Sequence, residues 1–250
     1  CAWSPDGRIL ASAGHDGTVR LWDATGETLR IIKGHQGCVT ACAWSPDRRL
    51  VSASDDGTVR IWDAGGEALR VLEGHRREVT ACAWSPDGRT LASAGNDGAV
   101  RMWDAGGEPL RVLGGHRDPV TACAWSPDGC TLASASIDGT VCLWDDSGGA
   151  PRVLAGHQGW VWACAWRPDG STLASAGRDG TVRLWDAESG KAQLTIATLP
   201  GGEHAVLDPH THTCLYASEG AWRWLGYVVR DPVSGVLVRY PAESFGPLPA

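Results

Sequence analysis

The chain has 250 residues, 43% of them hydrophobic, and a formal net charge of -7; it is long enough to bury a core without a metal or disulfide, and its charge offers no global attraction to nucleic acid. Nine cysteines, an odd number with no Cys-x-x-Cys pair, argue against a disulfide framework and for a reducing, cytoplasmic setting. No apolar run reaches the roughly 18 residues that cross a bilayer and no basic-then-apolar leader is present, so a soluble chain away from membranes is expected.

The first element, Cys1-Ala2-Trp3, opens a phrase that recurs over four-fifths of the chain. Each copy ends in Trp-Asp, at Trp22-Asp23, Trp62-Asp63, Trp103-Asp104, Trp144-Asp145 and Trp185-Asp186, in steps of 40, 41, 41 and 41 residues. Cys-Ala-Trp returns at Cys42, Cys82, Cys123 and Cys164, and Gly-His stands at Gly34-His35, Gly74-His75, Gly115-His116 and Gly156-His157. Three markers held in register identify a repeat architecture. Because Cys1 already lies inside a copy and no initiator Met precedes it, a longer polypeptide with upstream domains is expected.

The third copy shows the elements. Val79, Ala81 and Ala83 alternate with Thr80, Cys82 and Trp84, a period-2 strand with apolar or small residues on both faces, as in a sheet packed on both sides. The repeated Cys therefore reads as a small buried apolar residue. Ser85-Pro86-Asp87-Gly88 is a turn, Leu91 to Ala94 a second strand, Asn96-Asp97-Gly98 a tight turn, Ala99 to Trp103 a third strand and Leu110 to Leu113 a fourth. Only the second copy differs in length, with 18 residues from Trp44 to Trp62 against 19 elsewhere, the deletion falling near Arg48-Arg49.

Four short strands cannot cover their own faces, so each sheet must stack on its neighbours, and radial stacking leaves few open edges. The fold class expected is all-β: a β-propeller of four-stranded antiparallel blades, five in the repeats (about 1–35, 36–75, 76–116, 117–157 and 158–200). The Gly-His, the Asp-Gly turn and the Trp-Asp at fixed offsets over residues 1–200 closely resemble the WD-repeat propeller family. The resemblance implies a buried hydrogen-bonded quartet inside each blade: His35, Ser52, Asp56 and Trp62; His75, Ser93, Asp97 and Trp103; His116, Ser134, Asp138 and Trp144; His157, Ser175, Asp179 and Trp185. The first copy has Ser12, Asp16 and Trp22, but its Gly-His would precede residue 1. Four equal copies of Ser, His and Asp speak for structure rather than for catalysis, which needs one exposed nucleophile.

Beyond Thr198 the phrase breaks down. Residues 203–208, 213–218, 221–229 and 235–241 still read as four strands, and a degenerate sixth blade at 201–250 is expected. The Ala221-Trp222-Arg223-Trp224-Leu225-Gly226 stretch and the Phe245-Gly246-Pro247-Leu248-Pro249 ending resemble tails that close propellers in bacterial multidomain proteins with upstream NTPase or effector modules. His210, His212 and Cys214 have ligand-like spacing but no fourth ligand nearby, so no metal is expected.

Positions that differ between near-identical copies are free of packing duty. The residue before the turn Asp is His15, Asp55, Asn96, Ile137 and Arg178 in turn; the loop before the first strand carries Cys38, Glu78, Pro119 and Trp160; and the first strand carries Thr40, Thr80, Thr121 and then Trp162. By resemblance these positions open on one face of the propeller. A protein or peptide partner is therefore expected to meet Trp160, Trp162, Arg178, His15, Asp55, Asn96, Ile137 and Glu78, aromatic and Arg side chains being the usual anchors. The function expected is a non-catalytic binding scaffold without cofactor; the alternative is the sensor end of a larger bacterial signalling NTPase or effector. An enzyme would need a unique polar cluster, where the first-strand positions offer only Thr and Trp.

Overall fold

Within each copy the alternating strands pair in antiparallel ladders that follow chain order, since the turns joining them are too short for any other return. The computed structural model describes residues 1–145, 149–211, 213–218 and 221, and the backbones of two further strands at 226–230 and 237–241. The first sheet is β1 (Ala2–Trp3), β2 (Ile9–Ala13), β3 (Val19–Asp23) and β4 (Thr28–Ile32). The second is β5 (Val39–Trp44), β6 (Leu50–Ser54), β7 (Val59–Trp62) and β8 (Ala68–Leu72); the third is β9 (Val79–Trp84), β10 (Thr90–Gly95), β11 (Ala99–Asp104) and β12 (Pro109–Gly114). The fourth is β13 (Val120–Trp125), β14 (Thr131–Ser136), β15 (Thr140–Asp145) and β16 (Arg152–Ala155). The fifth begins with β17 (Val161–Trp166), β18 (Thr172–Gly177), β19 (Thr181–Asp186) and β20 (Ala192–Thr198).

The core lies between sheets, not within them. Leu50 and Val51, adjacent on β6, point to opposite faces: Leu50 joins Ala11, Val19 and Leu21 of the first sheet, while Val51 joins Val79, Leu91 and Trp103 of the third. The same alternation builds the layer from Val100 and Leu113 to Val120 and Trp144, and the layer from Val141 and Leu154 to Leu173 and Trp185. Each fully buried Leu or Val in these layers contributes about 1.5–3 kcal/mol. Cys42 and Cys82 are buried in the same layers, and burial pushes the thiol of Cys164 up to about 12.

Inner strands β5, β9, β13 and β17 follow one another around the ring. Thr80 Oγ1 donates to Ala94 O of its own blade at 2.9 Å and lies 2.5 Å from Val120 O of the next; Thr40 and Thr121 make the same bridges, to Val79 O and Val161 O, each at 2.6 Å. Trp162 stands where the fourth Thr of this series would be.

The stretches read as the opening of a sixth blade divide. β21 (His204–Leu207) and β22 (Cys214–Ala217) extend the fifth sheet to six strands, after a single 3-10 turn at Pro200–Gly202. That turn carries no Gly-His to tie the chain to a following sheet, and the chain returns as a hairpin. β23 (Gly226–Arg230) and β24 (Leu237–Pro241) then form a sixth, two-stranded sheet. His212, residues 222–225 and residues 245–249, to which the sequence assigned a tail-like or ligand-like pattern, lie outside the described residues.

Candidate binding face

Two sets of residues organise the face on which the varied loops open. The first is the quartets. His35 leaves the loop between β4 and β5, places Nδ1 2.8 Å from Asp56 Oδ2 in the β6–β7 turn, and places Nε2 2.8 Å from Ser52 Oγ on β6. Trp62 Nε1 donates to the same Ser52 Oγ at 2.8 Å. His75, His116 and His157 repeat the pattern, with Nε2 2.8, 2.8 and 2.7 Å from Ser93, Ser134 and Ser175. One proton order satisfies every group: indole N–H to Ser, Ser O–H to His Nε2, and His Nδ1–H to the carboxylate. The His of each quartet comes from the loop that joins one sheet to the next, so the quartet ties that loop to the following sheet. It is a clasp between consecutive sheets.

Burial lowers the pKa of His35, His75 and His157, with the nearby Asp pulling the other way. Burial pushes the clasp carboxyls up, but hydrogen bonds win: the Gln158 N–H and Thr181 bring Asp179 to about 2, and Asp56, Asp97 and Asp138 are lowered in the same manner. Ser52, Ser93 and Ser134 are 0% exposed, closed to any substrate. In the first blade Ser12 still accepts from Trp22 at 2.8 Å, and Asp16 pairs with Arg20 at 2.7 Å.

The clasp turns carry the varied residues. In each, the N–H of the residue before the Asp donates to the carbonyl of the loop residue facing it: Asp55 to Cys38, Asn96 to Glu78, Ile137 to Pro119 and Arg178 to Trp160, at 2.9, 2.8, 3.1 and 2.7 Å. The tight turn that makes this possible needs a left-handed residue directly after the Asp, which Gly98 supplies with φ 76°. The two varied positions are thus neighbours by construction, and their side chains meet. Asn96 Nδ2 donates to Glu78 Oε2 at 3.3 Å, and the Arg178 guanidinium lies 4.5 Å over the Trp160 ring.

Five of the eight expected residues share one depression of about 370 Å³ across the third to fifth blades: Glu78, Asn96, Ile137, Trp160 and Trp162. Trp160 and Trp162 meet edge to face at 5.3 Å and remain 39% and 49% exposed. Arg178 backs Trp160 from behind rather than lining the depression. His15 and Asp55 are not in it: His15 Nδ1 lies 3.1 Å from Cys38 Sγ at the first and second blades. Arg77 and Pro119 also line the depression: Pro119 was singled out as a varied loop position but not placed among the partner-binding residues, and Arg77 was missed. A signal for Arg77 existed, since its position reads Gly37, Arg77, Asp118 and Gly159 across the copies.

Among the described residues no group of His, Cys, Asp and Glu is placed to hold a metal, and no helix is long and apolar enough to cross a membrane. A family profile described as "IFT122 first beta-propeller" matches residues 38–206, and one described as "WD domain, G-beta repeat" matches residues 1–23. The chain is 47% identical over 49 residues to Protein tipD of Dictyostelium discoideum, covering 18% of this chain and 8% of that protein. It is 42% identical over 52 residues to the human WD repeat and SOCS box-containing protein 1, covering 20% and 12%, and 50% identical over 46 residues to Protein HIR1 of Cryptococcus neoformans, covering 18% and 5%. The chain thus spans about an eighth or less of the length of these curated relatives.

Proposed function

Since the chain belongs to the WD-repeat β-propeller family, whose members generally serve as non-catalytic protein-interaction scaffolds, we propose that it holds a protein or peptide partner in the depression across its third to fifth blades. The observation that carries this reading is the Trp160–Trp162 pair: two indoles edge to face at 5.3 Å, half exposed, one of them backed by Arg178. Keeping two large apolar rings in water is unfavourable unless something covers them, and Trp and Arg are the side chains that most often anchor interfaces. Ile137 and Pro119 extend the apolar floor, while Glu78 and Asn96 supply a polar rim able to fix the orientation of a peptide. The net charge of -7 favours a polypeptide over a nucleic acid as that partner.

The test is a triple variant, Trp160→Ala, Trp162→Ala and Arg178→Ala, titrated against a partner captured by the parent protein and then identified. Affinity is expected to fall about 100-fold or more, as for the loss of two or more interface anchors. The melting temperature should stay within a few degrees, because none of the three side chains is in an inter-sheet layer. Unchanged affinity would remove the proposal.

A further inference from the structure

The third strand of each blade carries one cation next to the clasp, with a single exception. Arg20, Arg60, Arg101 and Arg183 occupy equivalent positions, and the fourth blade has Cys142 instead. In three blades the guanidinium lies against the glycine of the Gly-His pair and the edge of the clasp Trp. A Cβ added at Gly34 would come within 2.9 Å of Arg60 Nη1 and 3.0 Å of Trp62; at Gly74, within 3.2 Å of Arg101; at Gly156, within 2.8 Å of Arg183. In the first blade, Arg20 pairs with the clasp carboxylate directly. In the second, third and fifth blades the guanidinium sits by the clasp imidazole, with no ion pair to the clasp Asp among the described residues.

The fourth blade has the carboxylate and no such cation. Asp138 accepts from Thr140 Oγ1 at 2.6 Å, from the Arg117 backbone N–H at 3.1 Å and from His116 Nδ1–H at 3.0 Å, and its side chain is only 8% exposed. Arg117 lends it a backbone N–H and forms no ion pair with it among the described residues. Where the guanidinium lies in the other blades, there is a partly enclosed recess of about 240 Å³, lined by Gly115, Arg117, Asp138, Thr140, Cys142 and Val153. A Cβ at Gly115 would meet Trp144 and Pro151, and no guanidinium.

We propose that this recess is a binding site for a monoalkylguanidinium cation. The side chain of Cys142 takes the place of the first stem atoms of the arginine found in the other blades, and the ligand supplies the missing terminal plane. A guanidinium suits the place better than an ammonium, because it is flat, weakly hydrated and able to lie on the glycine and the indole edge while facing the carboxylate. The side chain of Arg117 at the mouth is a like charge that weakens binding, and the second and fifth blades carry Gln36 and Gln158 there. The same chemistry comes from a free small cation or from an arginine side chain of another polypeptide.

The experiment is a calorimetric and thermal-shift titration of the whole chain with methylguanidinium at constant ionic strength, with tetramethylammonium as the control cation. Saturable binding with a Kd of ~1 mM is expected, consistent with a ligand of few heavy atoms, and tetramethylammonium should give none. Cys142→Arg fills the recess with the chain's own cation and should weaken binding at least tenfold while raising the melting temperature of the free protein; Cys142→Met, which fills it with an apolar chain, should abolish binding if Cys142→Arg does not fold. Arg117→Gln should tighten binding. A response that does not saturate, or one that Cys142→Arg and Cys142→Met leave unchanged, overturns the proposal. An arginine dipeptide that binds tenfold tighter than methylguanidinium identifies a polypeptide side chain as the source, and equal affinity identifies the free cation.

Discussion

The carboxylate of each clasp answers several donors at once, so its loss strands several polar groups together. Asp138→Ala would leave the ring N–H of His116, the Arg117 N–H and the Thr140 hydroxyl without their acceptor. With part of that demand taken up by water, a destabilisation of about 2–4 kcal/mol is expected, measured by urea denaturation. The imidazoles make a second prediction, in pH. His35, His75 and His157 are held neutral because burial lowers their pKa, so below the ordinary value of about 6.5 the unfolded chain takes up protons that the folded chain refuses. Stability should be full above about pH 6.5 and decline as pH falls through the folded-state values of these residues. The clasp carboxyls, also lowered, add a further loss that begins below about pH 4. Calorimetric melting from pH 8 to pH 3 tests this, and a flat profile between pH 7.5 and pH 5 would contradict neutral buried imidazoles.

At the level of strands and turns, the second copy stores strain at a single residue. Its first hairpin turn holds Arg48 at φ 68°, the conformation that Gly7, Gly88, Gly129 and Gly170 adopt in the other copies. A side chain in the left-handed region costs about 1–2 kcal/mol, and the exposed pair from Arg48 to Asp6 at 3.4 Å returns little of it. Arg48→Gly is expected to stabilise by about 0.5–1 kcal/mol after the entropy of the unfolded glycine is counted, seen as a higher urea midpoint at unchanged slope. The strands themselves were legible, because runs such as Val79 to Trp84 have period 2 and Asn96-Asp97-Gly98 is turn chemistry that admits few conformations. The pairing of β21 with β20 was not legible, since partner choice there depends on whether the preceding loop holds a clasp, which strand propensity does not report. Likewise, comparing copies singled out Trp160 and Arg178, but their stacking, and the separation of His15 and Asp55 from the depression, follow from where each blade lies around the ring.

Among the described residues cohesion is serial: each apolar layer joins one sheet to the next, and each clasp and threonine bridge crosses such a boundary. The first blade is the one of the five whose Ser, Asp and Trp have no His bonded to them, and its Asp16 is exposed. Amides of β2 and β3 should therefore exchange hydrogen faster than their counterparts in β10 and β11, and equal protection would argue against a stabilising role for the clasp. One feature of the clasp reaches into how such a chain can change length. The phrase written in the sequence is out of phase with the sheet it builds, so it donates one imidazole forward and receives one from behind. Excising residues 76–116 from the gene would bring His75 next to Arg117 and hand it Ser134 and Asp138 as new partners, every remaining joint still fastened. A gene built this way can gain or lose whole copies by recombination without leaving a loose seam.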